Sequence, residues 1–193
     1  MPEIPDIPDT PGIPTIPCMP NTSDALDTSS ANNKRQINPA HLVALMAMIN
    51  ESPYFQLLSM RLCSMGVGFA TVEVDLQRKH MNAFGLVHGG TYSSILDSAA
   101  YWSVYCELGD DVGHTTLDIS ANNLAMASKG LITVEGRSIK VGRSICLATA
   151  TARDTNGRLL AHGSSKLMVL QARQTIDQAV RAMGYKPLPP KFL

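Results

Sequence analysis

Neither sign of charge is in excess: Lys plus Arg and Asp plus Glu number 16 each, and the formal net charge is zero. A chain held on nucleic acid by its overall field needs a basic surplus, so no nucleic-acid partner is expected, and any contact with a polyanion must rest on a local cluster. The four cysteines, Cys18, Cys63, Cys106 and Cys146, are far apart and form no CxxC pair. Their spacing speaks against a zinc site or a disulfide framework, and for free thiols. Long apolar runs are missing too. The longest, around 42–49, falls well short of the ~20 residues that span a bilayer, so no membrane partner is expected. The first residues are acidic and proline-rich, with neither the basic nor the apolar segment of a secretory leader, and a cytoplasmic location is the expectation.

What is present suits one domain with a terminal extension. At 193 residues and 45% hydrophobic composition the chain is long enough for a true core. Residues 1–36 stand apart. The stretch IPDIPDTPGIPTIP repeats an Ile-Pro dipeptide, and proline removes backbone donors and fixes φ, so polyproline II or disorder is expected. A polar linker continues it. A ligand for a partner domain is one reading; a dispensable tail is the preferred one.

Order is expected from 37 to 170, followed by a C-terminal helix and tail at 171–193. Asn38-Pro39 makes an N-cap and N1 pair ahead of apolar residues at helical spacing, and Pro53 ends that helix. From Leu57 to Leu76 the period changes to two, with Gly66 and Gly68 in a turn. The loop HMNAFGLVHGG leads to an unbroken helix from Thr91 to Leu108. Four strands follow, at Thr115–Asn122, Leu131–Lys140, Ser144–Asp154 and Leu159–Leu170, with Asn156-Gly157 as a hairpin turn. Gln171 to Met183 reads as a last helix. Strands in succession after one helix mean α+β, a mostly antiparallel sheet wrapped around a long central helix.

Chemistry concentrates between Asn82 and Tyr101. His88-Gly89-Gly90 stands where a loop becomes the buried helix, and the first amides of a helix have no intrahelical partner and lie at the positive end of its dipole. They suit a carbonyl oxygen that gains charge; a tight loop with no ligand is the alternative. Asp97 lies mid-helix among residues expected to be buried, where aspartate is rare without a partner. It is either a structural hydrogen-bond acceptor or, near a helix with free amides, a general base or nucleophile. Eight residues separate Gly89 from Asp97, about 12 Å along one helix. Both therefore meet one reacting carbon only if Asp97 comes from a second, antiparallel copy, as a two-fold dimer supplies.

Other candidates have plain alternatives. Asn82 suits a substrate carbonyl or an ordinary turn. His88 can donate to a carboxylate or thiolate, or be a satisfied structural group. Thr116 could orient a water. Arg137, Lys140 and Arg143 bracket a turn as the one tight basic cluster of the folded region, fit for the phosphates of an extended cofactor or simply a solvated hairpin end. Met81, Phe84, Tyr92 and Trp102 are pocket walls or core, with core favoured for each.

Asn82-x-x-Gly85-x-x-His88-Gly89-Gly90 followed by Leu96-Asp97-Ser98-Ala99 resembles the PaaI-like branch of the hotdog thioesterases. The stretch EGRSIKVGRSICLATATARDTNGRLLAHGSSKLMVL is similar to that family's closing strands, and the likeness spans about 39–170. It implies a hotdog fold and hydrolysis of acyl-CoA thioesters. The Gly89 amide, helped by Asn82, would polarise the carbonyl, and Asp97 of the facing subunit would activate water or attack directly. Thr116 would position water, His88 would support the loop and the leaving sulfur, Gly90 would lie against the substrate, and the basic cluster would meet the phosphates of CoA. Some relatives have Glu in place of Asp97, and the shorter Asp favours base catalysis through water. Where Tyr101 stands they have a small hydroxyl residue, and Tyr101 would narrow the acyl pocket. No metal and no cofactor is implied; a homodimer is, with a dimer of dimers (a homotetramer) as a frequent form. The alternatives are a non-catalytic acyl-CoA-binding hotdog protein and a hotdog dehydratase or hydratase, whose His-acid motif is absent.

Overall fold

Proline sets both boundaries of the first elements. In the computed structural model, which describes residues 36–193, α1 (Pro39–Asn50) opens with Pro39 at its first turn and Asn38 as cap, the Asn38 side chain accepting from the Ala40 amide at 3.0 Å. Pro53 does not merely end that helix. It begins a second, α2 (Pro53–Leu57), because a missing N–H costs nothing in a first turn. The proline-rich segment expected at 1–36 lies outside the described residues, save for Gln36.

The period-two stretch forms β1 (Met60–Gly66) and β2 (Phe69–Asp75), with Gly68 at φ +79 in the turn between them. After an irregular loop come α3 (Gly89–Ser103), a short 3-10 turn (Tyr105–Glu107), β3 (Val112–Asn123), β4 (Leu131–Val141), β5 (Ile145–Asp154), β6 (Leu159–Gln171) and α4 (Ile176–Ala182). All six strands join one antiparallel sheet in the order β1-β2-β4-β5-β6-β3. This is the expected architecture of a sheet wrapped around a central helix.

The core lies between α3 and the concave face of the sheet. Ile95, Leu96, Ala99 and Ala100 on the helix and Val72, Val134, Ala152 and Leu167 on the strands are fully buried; each large aliphatic among them stabilises the fold by about 1.5–3 kcal/mol. Contact is closest at Gly136, where a Cβ would stand 2.0 Å from the Ala99 carbonyl oxygen. Among the described residues, no helix is long and apolar enough to cross a membrane.

Two expectations change at the C-terminus. The last helix begins at Ile176, not at Gln171, because Gln171 is held extended opposite Val112. Thr175 then caps α4 with Gln178 in a reciprocal box. The tail is irregular, as expected, yet firmly docked. Ile37 bridges Phe192, the Asn38 amide donates to the Lys191 carbonyl at 2.9 Å, and Lys191 is 5% exposed. Its ammonium donates to the carbonyls of Tyr105 and Leu108 at 2.8 Å each and stands 3.9 Å from the Tyr105 ring centroid.

Candidate active site

Asp97 lies half-buried on the sheet-facing side of α3 and lines an open groove of about 550 Å³, with Tyr54 and Phe55 of α2, Ser94, Tyr101 and Trp102 of α3, and Ile119 of β3 among its walls. Its Oδ1 accepts from Thr116 Oγ1 at 3.0 Å and from Ser165 Oγ at 2.9 Å, and the Thr116 hydroxyl also reaches Oδ2 at 3.1 Å. Burial raises the Asp97 carboxyl above its ordinary range, and the Ser165 and then the Thr116 hydroxyl partly offset this. No cation is among the groups that act on it. A carboxylate held by hydroxyls alone, with a raised pKa, is suited to accept a proton.

Thr116 reaches Asp97 through an irregularity of β3. Thr116 pairs with Leu167 and Asp118 with Lys166, so Leu117 is an extra residue in a β-bulge. Strict alternation would put Thr116 on the outer face with Asp118. The bulge instead turns it inward, onto the face of Ile119 and its partner Ser165. Thr116 was expected to begin the strand and orient water; β3 in fact starts at Val112, and the Thr116 hydroxyl is engaged by Asp97. Ser165 is a site residue that sequence reasoning missed. The available signal was the alternation of β6, which puts Gly163, Ser165 and Leu167 on the buried face and so a hydroxyl where apolar groups belong.

Tyr101 also lines the groove, but its hydroxyl is occupied. It donates to the His114 carbonyl at 3.0 Å, and the His114 ring stacks on it with centroids 3.9 Å apart. Burial, then the charge of Asp97, pushes the Tyr101 hydroxyl up to about 12. Burial holds His114 down at about 4, so both stay neutral near pH 7.

A second group gathers at the N-terminal end of α3. His88 is the cap: its Nδ1 accepts from the Gly90 amide at 2.9 Å, so that amide is covered by the preceding side chain. Among the described residues the Gly89 amide has no partner. Both glycines are closely approached: a Cβ on Gly89 would stand 2.9 Å from Asn123 Nδ2 and one on Gly90 3.0 Å from the His88 ring, so the neighbouring side chain would have to move in each case. Asn82 Oδ1 accepts from the Phe84 and Leu86 amides at 2.9 and 3.2 Å, the ordinary turn role, which leaves its Nδ2 as the end open to another acceptor. Beneath the loop sits His80, fully buried, donating to the Leu58 carbonyl and accepting from the Gln77 amide, while its own carbonyl receives the His88 amide at 2.8 Å. His80 too was missed by sequence reasoning; its position in a polar run gave no sign of burial.

These two groups occupy opposite ends of one stretch of helix, and the structure does not bring Gly89 and Asp97 together within a protomer. Arg137, Lys140 and Arg143 form a third group at the exposed end of β4 and the following turn, where Arg137 lies 5.7 Å from the Phe69 ring centroid. Of the candidate pocket walls, Tyr92 and Trp102 are core, Met81 is half-buried and Phe84 is 87% exposed. The expectation of core fails at Phe84 because it sits at the tip of the Asn82 turn.

The chain is similar to known proteins in both sequence and fold. The family model of the thioesterase superfamily matches residues 84–161. A 1,4-dihydroxy-2-naphthoyl-CoA hydrolase from Listeria monocytogenes is 26% identical over 117 residues, 61% of this chain and 95% of that one. A thioesterase from Haemophilus influenzae superimposes with a TM-score of 0.65 at 20% identity, covering 73% of this chain and 96% of the other. A conserved protein from Pseudomonas aeruginosa does so at 0.58 and 25% identity, over 66% and 98% of the two chains.

Proposed function

We propose that this chain, which has the hotdog fold of solved thioesterases and matches the thioesterase superfamily model over residues 84–161, belongs to that superfamily and hydrolyses acyl-CoA thioesters to the free acid and CoA. One observation carries the reading: a carboxylate with no cation, held by two hydroxyls in an open groove, on the same helix whose first amide is unpaired.

The thioester carbonyl lies on the Gly89 amide, with Asn82 Nδ2 as a second donor. Water attacks the carbonyl carbon as its proton passes to Asp97, and the charge that develops on the carbonyl oxygen is met by the amide at the positive end of α3. The C–S bond then breaks and the sulfur leaves as the CoA thiolate. His88, its ring fixed by the Gly90 amide, supports the loop and the departing sulfur, while Gly90 keeps the backbone open to the substrate. Thr116 holds the carboxylate that activates the water. Tyr101, tied to the His114 carbonyl, makes a rigid wall that narrows the acyl pocket. Arg137, Lys140 and Arg143 meet the phosphates of CoA.

Because Gly89 and Asp97 are about 12 Å apart along α3, the reading requires that Asp97 come from a partner subunit. The sheet offers a seam for it. β3 is an edge strand of 12 residues, paired on one side alone, and a long free edge is a template for another strand. Two copies joined there in antiparallel fashion form a two-fold dimer with two sites; a dimer of dimers is compatible with the same unit.

The test is Asp97→Asn assayed by thiol release across a panel of acyl-CoAs, with sedimentation and CoA binding as controls. Loss of turnover in an intact dimer that still binds CoA is expected. Full activity in that variant, or in a monomer, would overturn the proposal. Retained acyl-CoA binding with no turnover in the wild type would favour a binding protein instead.

A further inference from the structure

Ser165 is 1% exposed, and among the described residues its hydroxyl donates to Asp97 Oδ1 alone, at 2.9 Å. It arrives from β6, while Thr116 arrives from the adjacent β3 through the Leu117 bulge. The two hydroxyls therefore grip one carboxylate from two strands. Oδ1 receives both, whereas Oδ2 receives only the longer arm of the shared Thr116 hydroxyl.

We propose that Ser165 is a positioning residue that makes Asp97 a general base: with Thr116 it engages Oδ1, fixes the carboxylate plane and leaves Oδ2 to take the proton of water. The inference rests on the hydrolytic reading above and deepens it by naming the residue that holds Asp97 in place as a base rather than a nucleophile. An attacking carboxylate must advance on the carbonyl carbon and give up its hydrogen bonds as the C–O bond forms. A carboxylate held on Oδ1 by Ser165 and across both oxygens by the shared Thr116 hydroxyl keeps its place and accepts a proton on Oδ2, the oxygen Ser165 leaves free.

Burial is the largest influence on the Asp97 carboxyl, and Ser165 is the first of the groups that oppose it. Of the two hydroxyls, it has the larger effect in offsetting burial. Tyr101, one turn along α3, is the titratable neighbour, and His114 lies behind it on β3; both are neutral near pH 7. Lys166 and Asp118 pair with each other at 2.9 Å on the outer face of the sheet. Tyr54 of α2 is hydrogen-bonded to Ser94 across the groove mouth at 2.7 Å.

The experiment measures kcat/KM against pH for the wild type, Ser165→Ala and Ser165→Thr with one acyl-CoA, together with NMR titration of the Asp97 carboxyl carbon, which needs no turnover. Removing the hydroxyl takes away a group that favours the charged form. In Ser165→Ala the acid limb and the carboxyl titration therefore both move to higher pH, kcat/KM at neutral pH falls about tenfold, the scale of one hydrogen bond to a charged group, and Ser165→Thr restores all three. A fall in rate with the acid limb and the carboxyl titration unmoved would show a merely structural role and overturn the proposal. If a covalent acyl-enzyme on Asp97 is trapped with substrate, the base assignment fails while the hydrolytic reading stands. A fully active Asp97→Asn variant sinks the hydrolytic reading, and the general base with it.

Discussion

The two ends of the central helix are treated in opposite ways. At its N-terminal end the loop is glycine-rich and exposed, the first amide is unpaired, and what side chains there are, His88 and Asn82, turn their acceptors onto backbone amides. At the other end, past the 3-10 turn, the carbonyls of Tyr105 and Leu108 are closed off by Lys191, and His41 lies 2.7 Å from the Tyr105 hydroxyl. A helix carries partial positive charge at its start and negative charge at its end. Here the first amide of α3 is unpaired among the described residues, while carbonyls of and just after the 3-10 turn that follows α3 are bound by a buried cation from the tail. Chemistry and stability are thus separated along one element.

That contrast can be broken at either end. The largest effect is expected from Asp97→Asn, with kcat/KM falling by about 10²–10⁴, the contribution of a positioned general base. The same change is not expected to lower stability at neutral pH. Because burial raises the Asp97 carboxyl in the folded chain, the unfolded chain binds fewer protons across that window, and holding the charge buried costs stability above it. Asp97→Asn should therefore melt no lower than the wild type at pH 7, and any advantage should shrink as pH falls through the Asp97 titration. A scan of melting temperature against pH checks this.

Gly89→Ala keeps the amide donor but adds a methyl beside the carbonyl it would receive, so kcat/KM should fall, by at most the ~10²-fold that loss of an oxyanion donor costs. Its methyl would stand 2.9 Å from Asn123 Nδ2, the flexible end of an exposed side chain, so calorimetry should record a far smaller change in melting temperature. At the sealed end the pattern reverses. Lys191→Met leaves carbonyls of the helix end without their donor and should lower stability by about 1–3 kcal/mol with kcat unchanged.

A subtler difference separates that variant from the wild type. Burial lowers the Lys191 ammonium from 10.5 to about 8. Below pH 8 both folded and unfolded chains hold that proton. Between 8 and 10.5 the unfolded chain holds it and the folded chain has lost it, so stability should rise with pH across this window. Chemical denaturation of the two proteins at pH 7.5 and 10 should show this component in the wild type and not in Lys191→Met. The smallest effect of all is expected from deleting residues 1–35, which should leave both activity and melting temperature unchanged.

Much of the fold is legible because local periodicity and global burial agree. The alternation through β2, the hairpin turn at Asn156-Gly157 and the apolar face of α3 each match their elements. Asp97 and the His-Gly-Gly turn were legible for the opposite reason: they violate local preference, a carboxylate in a helix interior and two glycines where a helix begins. Ser165 and His80 escaped because a lone serine in an alternating strand and a histidine in a basic run look ordinary until their neighbours are known.

The sequence by itself thus determined most of the order of helices and strands and the buried face of most strands, and it singled out Asp97 and the His88-Gly89-Gly90 turn as candidates. Each of these depends on residues close together in the chain, where backbone preference and side-chain period act directly. Tertiary structure alone decided that the Leu117 bulge turns Thr116 inward, that Ser165 meets it on one carboxylate, and that Lys191 closes the end of α3. Those contacts join residues 19 to 86 positions apart, and they exist because the packing of the sheet and tail around one helix leaves each buried polar group a single place to find its partner.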